Sequence, residues 1–407
     1  MTIKKLNGKE RFEAYKLDVY CFHQRVENVE DQREKYESEE LEAWGAFDDD
    51  QTLMGQILNN HYDFYFDGQT VKTGGIGSVS TYPEYRESGA IREIFTRLLK
   101  EAYKNGEVIS SLYPFNHKFY RKFGYEVIPF KNEYKMSPRV LKDYHSVVCN
   151  SHLCDDKNFQ IHRWQLGQSV KPFLDIYNDF APKFNFSAVR TEEVMLNHMK
   201  YEKEYMDRKF SYLFSAGDKA LAYLIFKDVY NPQAAELCVE ECAWICREGF
   251  NAIMNFLSRF SADYGSITLG LPQGIDLLKI VHSPDAYDIE KRCCQHFMVR
   301  IVNVKKLFEV IKKPADCNFT IKVEDDLIKE NNLALRVTAQ GIKDLYMEES
   351  EKSHCDLELN IRSLAQLAAG CTSLDEAMLR DDVKVNGNEE MLRRCFPAKM
   401  IFVTESF

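Results

Sequence analysis

The segment between residues 74 and 104 constrains the fold of this chain more than any other part of its sequence. Residues 74–81, GGIGSVST, are typical of a buried strand, and Pro83 ends that strand. Residues 88–104 then repeat apolar side chains every three or four positions, which predicts an amphipathic helix. Since a helix with one apolar face buries it against a sheet, the segment predicts an α/β unit in which the helix covers the strand.

The rest of the first 150 residues adds further elements to this unit. Apolar spacing predicts helices at 8–22 and 116–122, and strands at 53–58, 61–66, 108–113 and 125–135. We therefore predict a first domain over residues 1–150.

A similar order of elements returns after residue 150. The pattern predicts helices at 170–179, 192–209 and 250–265 and strands at 210–215, 220–227 and 235–245. This order indicates a weak internal repeat and a second domain over residues 151–295. Short strands and a short helix over residues 296–407 predict a third, α+β domain, so the chain as a whole is predicted to be an α/β (α+β) multidomain protein.

Composition and charge exclude several classes of function. The 407 residues carry a net charge of −10, which argues against nucleic acid as a partner, because phosphate backbones bind clustered Lys and Arg. No run reaches the roughly 18 apolar residues of a membrane helix, and the N-terminus lacks the apolar core of a secretory signal. We therefore expect a cytoplasmic protein without membrane insertion. The 12 cysteines form no C-x-x-C pair, and we expect no metal site.

The negative charge is concentrated in residues 27–50, which contain eleven Asp or Glu residues. Two interpretations remain open at this point. The stretch is either a solvated acidic helix and loop or the negative wall of a site for a cationic ligand such as a polyamine or an aminated sugar.

The first motif that carries chemistry is Arg86-Glu87-Ser88-Gly89-Ala90-Ile91, at the start of the amphipathic helix. A helix N-terminus presents unpaired N–H groups, and Gly89 and Ala90 are small enough for a pyrophosphate to approach the backbone. Arg86 adds a counter-charge. The alternative is an ordinary helix start with Ser88 as the N-cap.

The second motif is Phe119-Tyr120-Arg121-Lys122-Phe123-Gly124-Tyr125. A tyrosine with an ordinary pKa near 10 stays protonated at neutral pH, so Tyr120 is suited to protonate a leaving thiolate. The alternative is an aromatic cluster in the core.

Together, and in this order, the two motifs resemble the GCN5-related N-acetyltransferase (GNAT) superfamily. Arg86 to Ala90 match its Q/R-x-x-G-x-G/A pattern, and Tyr120, Gly124 and Tyr125 match its Y-x-x-x-G-F/Y element. The resemblance implies acetyl-CoA as the co-substrate and Tyr120 as the general acid. It also implies a set of acetyl-CoA-binding residues: Val79, Ser80, Thr81, Arg86, Glu87, Ser88, Gly89, Ala90, Ile91, Arg92, Phe115 and Asn116.

The whole chain resembles the Eis (enhanced intracellular survival) acetyltransferases, which have two tandem GNAT-like domains, the second degenerate, and a C-terminal sterol-carrier-like domain. DLELNIRSLAQLAAG and VKVNGNEEMLRRCF carry the resemblance to the sterol-carrier fold. It implies that the C-terminal tail enters the active site, where the carboxylate of Phe407 is the general base, and that the protein forms a homo-oligomer, a hexamer in that family. We expect burial and the like charge of Glu405 to raise the pKa of this carboxylate from roughly 3.5.

The second domain departs from the acetyl-CoA-binding pattern. Bulky Phe250 follows the glycine of its corresponding loop, residues 246–251, so we expect no acetyl-CoA site there.

These features predict an acetyl-CoA-dependent N-acetyltransferase. Its expected acceptor is a primary amine of a cationic small molecule, aminoglycoside-like or polyamine-like, which attacks the thioester directly. Two alternatives remain open: a protein lysine acetyltransferase, and a non-catalytic module that binds an acyl-CoA or a lipid.

Overall fold

The computed structural model describes residues 1–38, 41–146, 159–200, 208–229, 235–281, 288–345 and 355–405. These residues form three β-sheets covered by helices, which confirms the predicted mixed α/β fold. No helix in these ranges is long and apolar enough to cross a membrane.

The strands in chain order are β1 Thr2–Lys5, β2 Glu42–Phe47, β3 Leu53–Phe66, β4 Gln69–Thr81, β5 Ile109–Leu112, β6 Glu126–Val127, β7 Lys131–Met136, β8 Phe159–Arg163, β9 Arg208–Ala216, β10 Lys219–Val229, β11 Glu236–Trp244, β12 Ser266–Leu271, β13 Ile289–Cys294, β14 Met298–Ile301, β15 Asn318–Glu324, β16 Leu333–Thr338, β17 Gly341–Leu345, β18 Leu357–Asn360 and β19 Lys384–Val385. The α-helices are α1 Gly8–Cys21, α2 Arg33–Ser38, α3 Ala90–Asn105, α4 His117–Arg121, α5 Lys171–Phe180, α6 Glu192–Met199, α7 Arg247–Ser258, α8 Val304–Val310, α9 Ile361–Ala369, α10 Leu374–Ala377 and α11 Glu389–Cys395.

The first sheet has the order β1-β2-β3-β4-β5-β14-β6. Its two longest strands, β3 and β4, form a hairpin whose turn is Asp67 and Gly68. Both turn residues have left-handed backbone, at φ +51° and +76°, which a tight two-residue turn of this kind requires. Helix α3 then returns the chain to β5, which pairs with β4 in parallel. The two predicted strands, 53–58 and 61–66, are parts of one continuous strand, β3. The polar residues between them do not end the strand, because they continue the alternation of more buried and more exposed side chains along it.

Two strands are exchanged between the first and second sheets. The predicted strand 125–135 divides into β6 in the first sheet and β7 in the second. After the second unit, β14 returns to the first sheet and inserts between β5 and β6, with Met298 opposite both Leu112 and Val127. The first sheet is therefore completed by residues that lie far along the chain.

The second sheet has the order β13-β7-β12-β11-β10-β9-β8, and helices α5 and α7 pack on it. The predicted helix 192–209 is shorter than expected: α6 ends at Met199, and β9 begins at Arg208. Residues 201–207 lie outside the described ranges.

The third sheet has the order β17-β16-β15-β18-β19 and shares one hydrophobic core with the first sheet. Phe64 and Val299 of the first sheet lie in the same cluster as Ile321 and Leu364 of the third unit. A fully buried ion pair adds a polar link, in which Arg300 Nη2 donates to Asp325 Oδ1 at 2.8 Å. The third unit thus packs against the first through a continuous core.

Candidate active site

The parallel strands β4 and β5 separate at the end of the first sheet where the two sequence motifs meet. Their pairing ends at Ile76↔Leu112, and β4 then continues to Thr81 paired with β3 alone. A β-bulge lies in this last part of β4: Ser78 adopts φ +49°, and Ser78 and Val79 together face one residue of β3. The separation leaves one edge of β4 available to hydrogen bond to an extended ligand.

Helix α3 presents its N-terminus just beyond this opening. Gly89 is the N-cap with φ +87°, and Glu87 also has left-handed backbone at φ +68°. In the described part of the chain, the backbone N–H groups of Ile91 and Arg92 have no hydrogen-bond acceptor. Free N–H groups at the positive end of a helix dipole form an anion site.

The side chains around this turn leave the site open, with two arginines at its edge. Ser88 is not the N-cap; its Oγ accepts a hydrogen bond from the N–H of Ala90 at 3.4 Å. No described atom lies within 4 Å of the position that a Cβ on Gly89 would take. Arg86 and Arg92 are exposed and form no ion pair with any described residue, so both guanidinium groups are available to phosphate.

Tyr120 lies on the short helix α4, beside α3. Asn116 caps this helix by accepting the N–H of Phe119 at 3.1 Å, and the Tyr120 ring packs edge-on against Phe95 of α3 with centroids 6.2 Å apart. The residue is only 3% exposed, and burial raises the pKa of its phenol well above the ordinary value. The hydroxyl has no hydrogen-bond partner among the described residues, so a protonated donor is available.

The C-terminal tail runs between the first sheet and the second unit. Ile401 forms isolated bridges to Asn185 and Gln273 of the second unit. Tyr113, the first residue after β5, donates its hydroxyl proton to the backbone carbonyl of Glu405 at 2.7 Å. Because β5 separates from β4 at this point, the tail reaches the same end of the first sheet as the opening.

A buried ion cluster fixes this tail to the second unit. Arg190, whose side chain is 0% exposed, donates to Glu405 Oε1 at 2.7 Å and to both carboxylate oxygens of Glu241 at 2.8 and 2.7 Å. His198 Nε2 lies 2.8 Å from Glu405 Oε2. Burial by itself would raise the pKa of Glu405, but the His198 hydrogen bond and the Arg190 charge lower it below its usual value.

Glu405 is not a free charge in the tail, because Arg190 and His198 both bind its carboxylate and Arg190 also pairs with Glu241. That Glu405 raises the pKa of a terminal carboxylate stays a prediction. Phe407 itself, like Ser406, lies outside the described residues.

A polar cluster that sequence reasoning missed lies on the other side of the bulge in β4. Asp18 of α1 accepts hydrogen bonds on Oδ1 from Gln56 Nε2 at 2.7 Å and from Ser80 Oγ at 3.1 Å. Burial raises the pKa of Asp18 to about 6, although hydrogen bonds from Ser78, Ser80 and Gln56 oppose the rise. The carboxylate also borders a cavity of about 310 Å³, which Tyr15 lines as well.

The sequence did contain a signal for this cluster. Positions 11, 14, 15 and 18 form the i, i+3, i+4, i+7 stripe of α1, and Ala14 and Tyr15 on it are buried. A carboxylate at the fourth position of an inward stripe is unusual and indicates either a polar partner or a site.

Part of the acidic stretch is a solvated surface. Exposed Arg33 pairs with Glu30 at 2.6 Å and with Glu37 at 3.1 Å. Glu42 belongs to β2, where it accepts the indole N–H of Trp44 and pairs with His61. Among the described residues, no group of three or more His, Cys, Asp or Glu side chains is placed to hold a metal ion.

The corresponding helix start in the second unit is packed instead of open. A Cβ on Gly249 would lie 2.6 Å from the carbonyl oxygen of Leu221, and the Phe250 side chain is buried. That no acetyl-CoA binds there stays a prediction.

Two of the three units match the models of known protein families. Residues 2–128 match the acetyltransferase (GNAT) domain family, and residues 304–403 match the sterol carrier protein domain family. No curated protein matches the chain.

Solved structures share the fold over the whole length. A conserved protein from Enterococcus faecalis, described as a probable N-acyltransferase, has a TM-score of 0.82 at 20% identity and covers 100% of this chain and 99% of its own. A GCN5-related N-acetyltransferase from Anabaena variabilis has a TM-score of 0.82 at 19% identity, and Eis1 from Mycobacterium abscessus has 0.79 at 16%, each with 100% of both chains covered. The predicted order of GNAT-like units followed by a sterol-carrier-like unit is confirmed.

Proposed function

We propose that this chain, an acyltransferase with a GNAT acetyltransferase domain and a sterol carrier protein domain, transfers an acetyl group from acetyl-CoA to a primary amine of a cationic small molecule. The observation that carries the proposal is the convergence of three features at the opening between β4 and β5. These are the free strand edge, the unpartnered N-terminus of α3 and the buried phenol of Tyr120.

The residues present fit acetyl-CoA. An extended pantetheine can add to the free edge of β4 at Val79–Thr81, as a further strand would. A pyrophosphate fits the N–H groups of Ile91 and Arg92, with Arg86 and Arg92 as counter-charges. Phe115, which is 72% exposed, lies beside Tyr120 with ring centroids 5.4 Å apart and supplies an apolar wall.

In the proposed mechanism a backbone N–H of Val79–Thr81 stabilises the oxyanion that forms as the amine attacks the thioester carbonyl. Tyr120 acts on the leaving thiolate. As the C–S bond breaks, the Tyr120 O–H donates a hydrogen bond to the departing sulfur. Because a thiol with a pKa of about 8.5 is a stronger acid than a buried phenol, net proton transfer to the thiolate requires that Tyr120 regains a proton from solvent, which leaves CoA as the free thiol and Tyr120 protonated for the next cycle.

The proposed base is the α-carboxylate of Phe407, the last residue of this sequence. The described tail supports this role, since Glu405 is held by Tyr113 at the end of β5 and by Arg190 from the second unit. Because two residues span at most about 7 Å, the anchoring of Glu405 at this end of the sheet supports a base two positions further along the chain. The second unit thereby supplies the anchor for the tail.

Release of free thiol from acetyl-CoA, measured with a panel of amines, tests the proposal. The panel contains kanamycin, putrescine, butylamine and a lysine-containing peptide. We expect release with the small polyamines or the aminoglycoside. Release with the peptide alone would make the substrate a protein, and the absence of acetyl-CoA binding would contradict the proposed function altogether.

A further inference from the structure

A carboxylate without a cationic partner among the described residues faces a cavity beside the bulge in β4. Asp18 forms no ion pair with any described residue, and the donors recorded for it are all neutral: the Gln56 amide and the hydroxyls of Ser78 and Ser80. A charged group that is partly buried without a counter-charge costs free energy, which neutral hydrogen-bond donors offset only in part.

The cavity has walls suited to an organic cation. Tyr15 of α1 and Tyr36 of α2 stack with ring centroids 3.9 Å apart and 14° between their planes, and both line the space beside Asp18. The two rings cover one face of each other, and Lys35 Nζ lies over the Tyr36 ring, 5.3 Å from its centroid. The tyrosines therefore supply an apolar wall, and the Asp18 carboxylate is the group that would pair with an ammonium ion. The volume of about 310 Å³ is sufficient for an alkylammonium segment.

One positive group also lines the cavity, and its charge is engaged elsewhere. Arg11 Nη2 donates to the backbone carbonyl of Glu37 at 3.0 Å, and Arg11 Nε donates to that of Tyr36 at 3.4 Å. The guanidinium therefore joins α1 to α2 and forms no ion pair with Asp18. The titratable groups around Asp18 are Arg11, Tyr15, Tyr36 and the Cys21 thiol.

The cavity lies next to the proposed reaction centre. Ser78 of the bulge lines it, and Ser80, whose side chain donates to Asp18, belongs to the stretch of β4 that holds the thioester in the proposed function. One serine side chain and one hydrogen bond of 3.1 Å separate the Ser80 backbone from the Asp18 carboxylate, roughly 6 Å in all. A short alkyl chain covers such a distance, so the two amino groups of one diamine are sufficient to reach both positions.

We propose that the cavity bounded by Asp18, Tyr15 and Tyr36 is a subsite for the second ammonium group of a diamine or polyamine acceptor, which selects such acceptors over monoamines. This inference rests on the proposed function for the amino group that attacks the thioester. The subsite itself is defined by binding and can be tested without turnover.

The test compares putrescine with butylamine, which lacks only the second amino group. We expect Asp18→Asn to raise KM for putrescine by about 10- to 100-fold, with little change in kcat and no change for butylamine. Asparagine keeps the oxygen that accepts from Gln56 and Ser80, so the fold is retained. Glu34→Gln, which removes an exposed acid on α2, is the matched control and leaves both KM values unchanged.

Direct binding separates failure of the subsite from failure of the proposed reaction. Calorimetric titration of putrescine into the full-length wild-type protein and into D18N, each with CoA present, is expected to show weaker binding to the variant even if no amine is acetylated. Equal affinities, or an equal loss of kcat for putrescine and butylamine, would overturn the subsite. Asp18→Glu, which keeps the charge, is expected to restore much of the lost affinity, and lack of any rescue would count against it.

Discussion

Tyr120 gives the most direct test of the mechanism at the scale of single residues. Replacing it by Phe keeps the packing against Phe95 and removes only the hydroxyl. We expect kcat to fall by about 10²- to 10⁴-fold, with acetyl-CoA affinity unchanged, because the hydroxyl acts on the leaving thiolate. Steady-state kinetics and a titration with acetyl-CoA measure the two effects separately.

Tyr125 is the matched control for this variant. It is also buried, it packs 6.3 Å from Tyr120, and its hydroxyl hydrogen bonds to Ser110 at 2.7 Å. Tyr125→Phe should cost about 1 kcal/mol of unfolding free energy and leave turnover intact. If Y120F retains wild-type kcat, Tyr120 has no role in the chemistry.

The raised pKa of Asp18 also predicts how the free energy of unfolding depends on pH, and this can be measured without an activity assay. Since burial raises its pKa to about 6, the native state binds more protons than the unfolded state between about pH 4 and pH 6. Its contribution to stability therefore falls as pH rises through this window, by at most about 3 kcal/mol. Asp18→Asn removes the loss, so urea midpoints should be higher for the variant at pH 7 and similar to wild type at pH 4. A variant that is less stable at pH 7 would contradict this account.

Sequence reasoning predicted candidate residues that belong to local motifs, and it missed those that depend on tertiary contacts. Gly89 and Tyr120 could be proposed because a helix start and a short aromatic motif are local, and the structure places them at the start of α3 and on α4. Asp18 and Arg190 were not, because their partners lie 38 and 51 positions away along the chain. The ion pair of Glu405 with Arg190 could not be predicted for the same reason, since the two residues lie 215 positions apart.

At the scale of elements, the N-terminus of α3 can be tested through its glycine. Gly89→Ala strains a residue at φ +87° and should cost about 1 kcal/mol locally, which weakens the anion site and raises the Kd for acetyl-CoA. Gly167→Ala is the matched control, because Gly167 has φ +95° and equally open space but lies in the second unit. Equal Kd values for both variants would contradict an acetyl-CoA site at α3.

The tail can be tested by its length. A protein that ends at Glu405 keeps the contacts of Arg190 and Tyr113 with the tail but loses the proposed base. We expect it to fold with a nearly wild-type urea midpoint and to lose kcat, and extension beyond Phe407 by two glycines should have the same effect. Full activity of either protein would show that another group is the base.

At the scale of the whole molecule, the exchanged strands tie the units together. A fragment of residues 1–146 lacks β14, so β5 and β6 lose the strand that joins them, and Arg300 and Asp325 are absent. We expect this fragment to be aggregated or unfolded by circular dichroism, because unpaired inner strands expose apolar edges. A soluble, cooperatively folded fragment would show that the first unit is autonomous.

The sequence predicted the order of the three units but not the exchange of strands. Strand-like and helical segments follow from local periodicity, which is why the predicted helix 88–104 agrees closely with α3, Ala90–Asn105. The division of residues 125–135 between two sheets depends on β14, which lies far along the chain and competes for the same edge. The domain boundaries and the hexamer stay predictions.

The central claim is acetyl transfer to a small cationic amine, and the product is its most direct measure. Full-length protein is incubated with acetyl-CoA carrying an isotopic label in its acetyl group and with putrescine, and the mass spectrum of the amine is recorded. We predict labelled monoacetylputrescine in amounts equal to the free thiol released. Thiol release without labelled amine, or no transfer to any small amine while a lysine peptide is labelled, would contradict the claim.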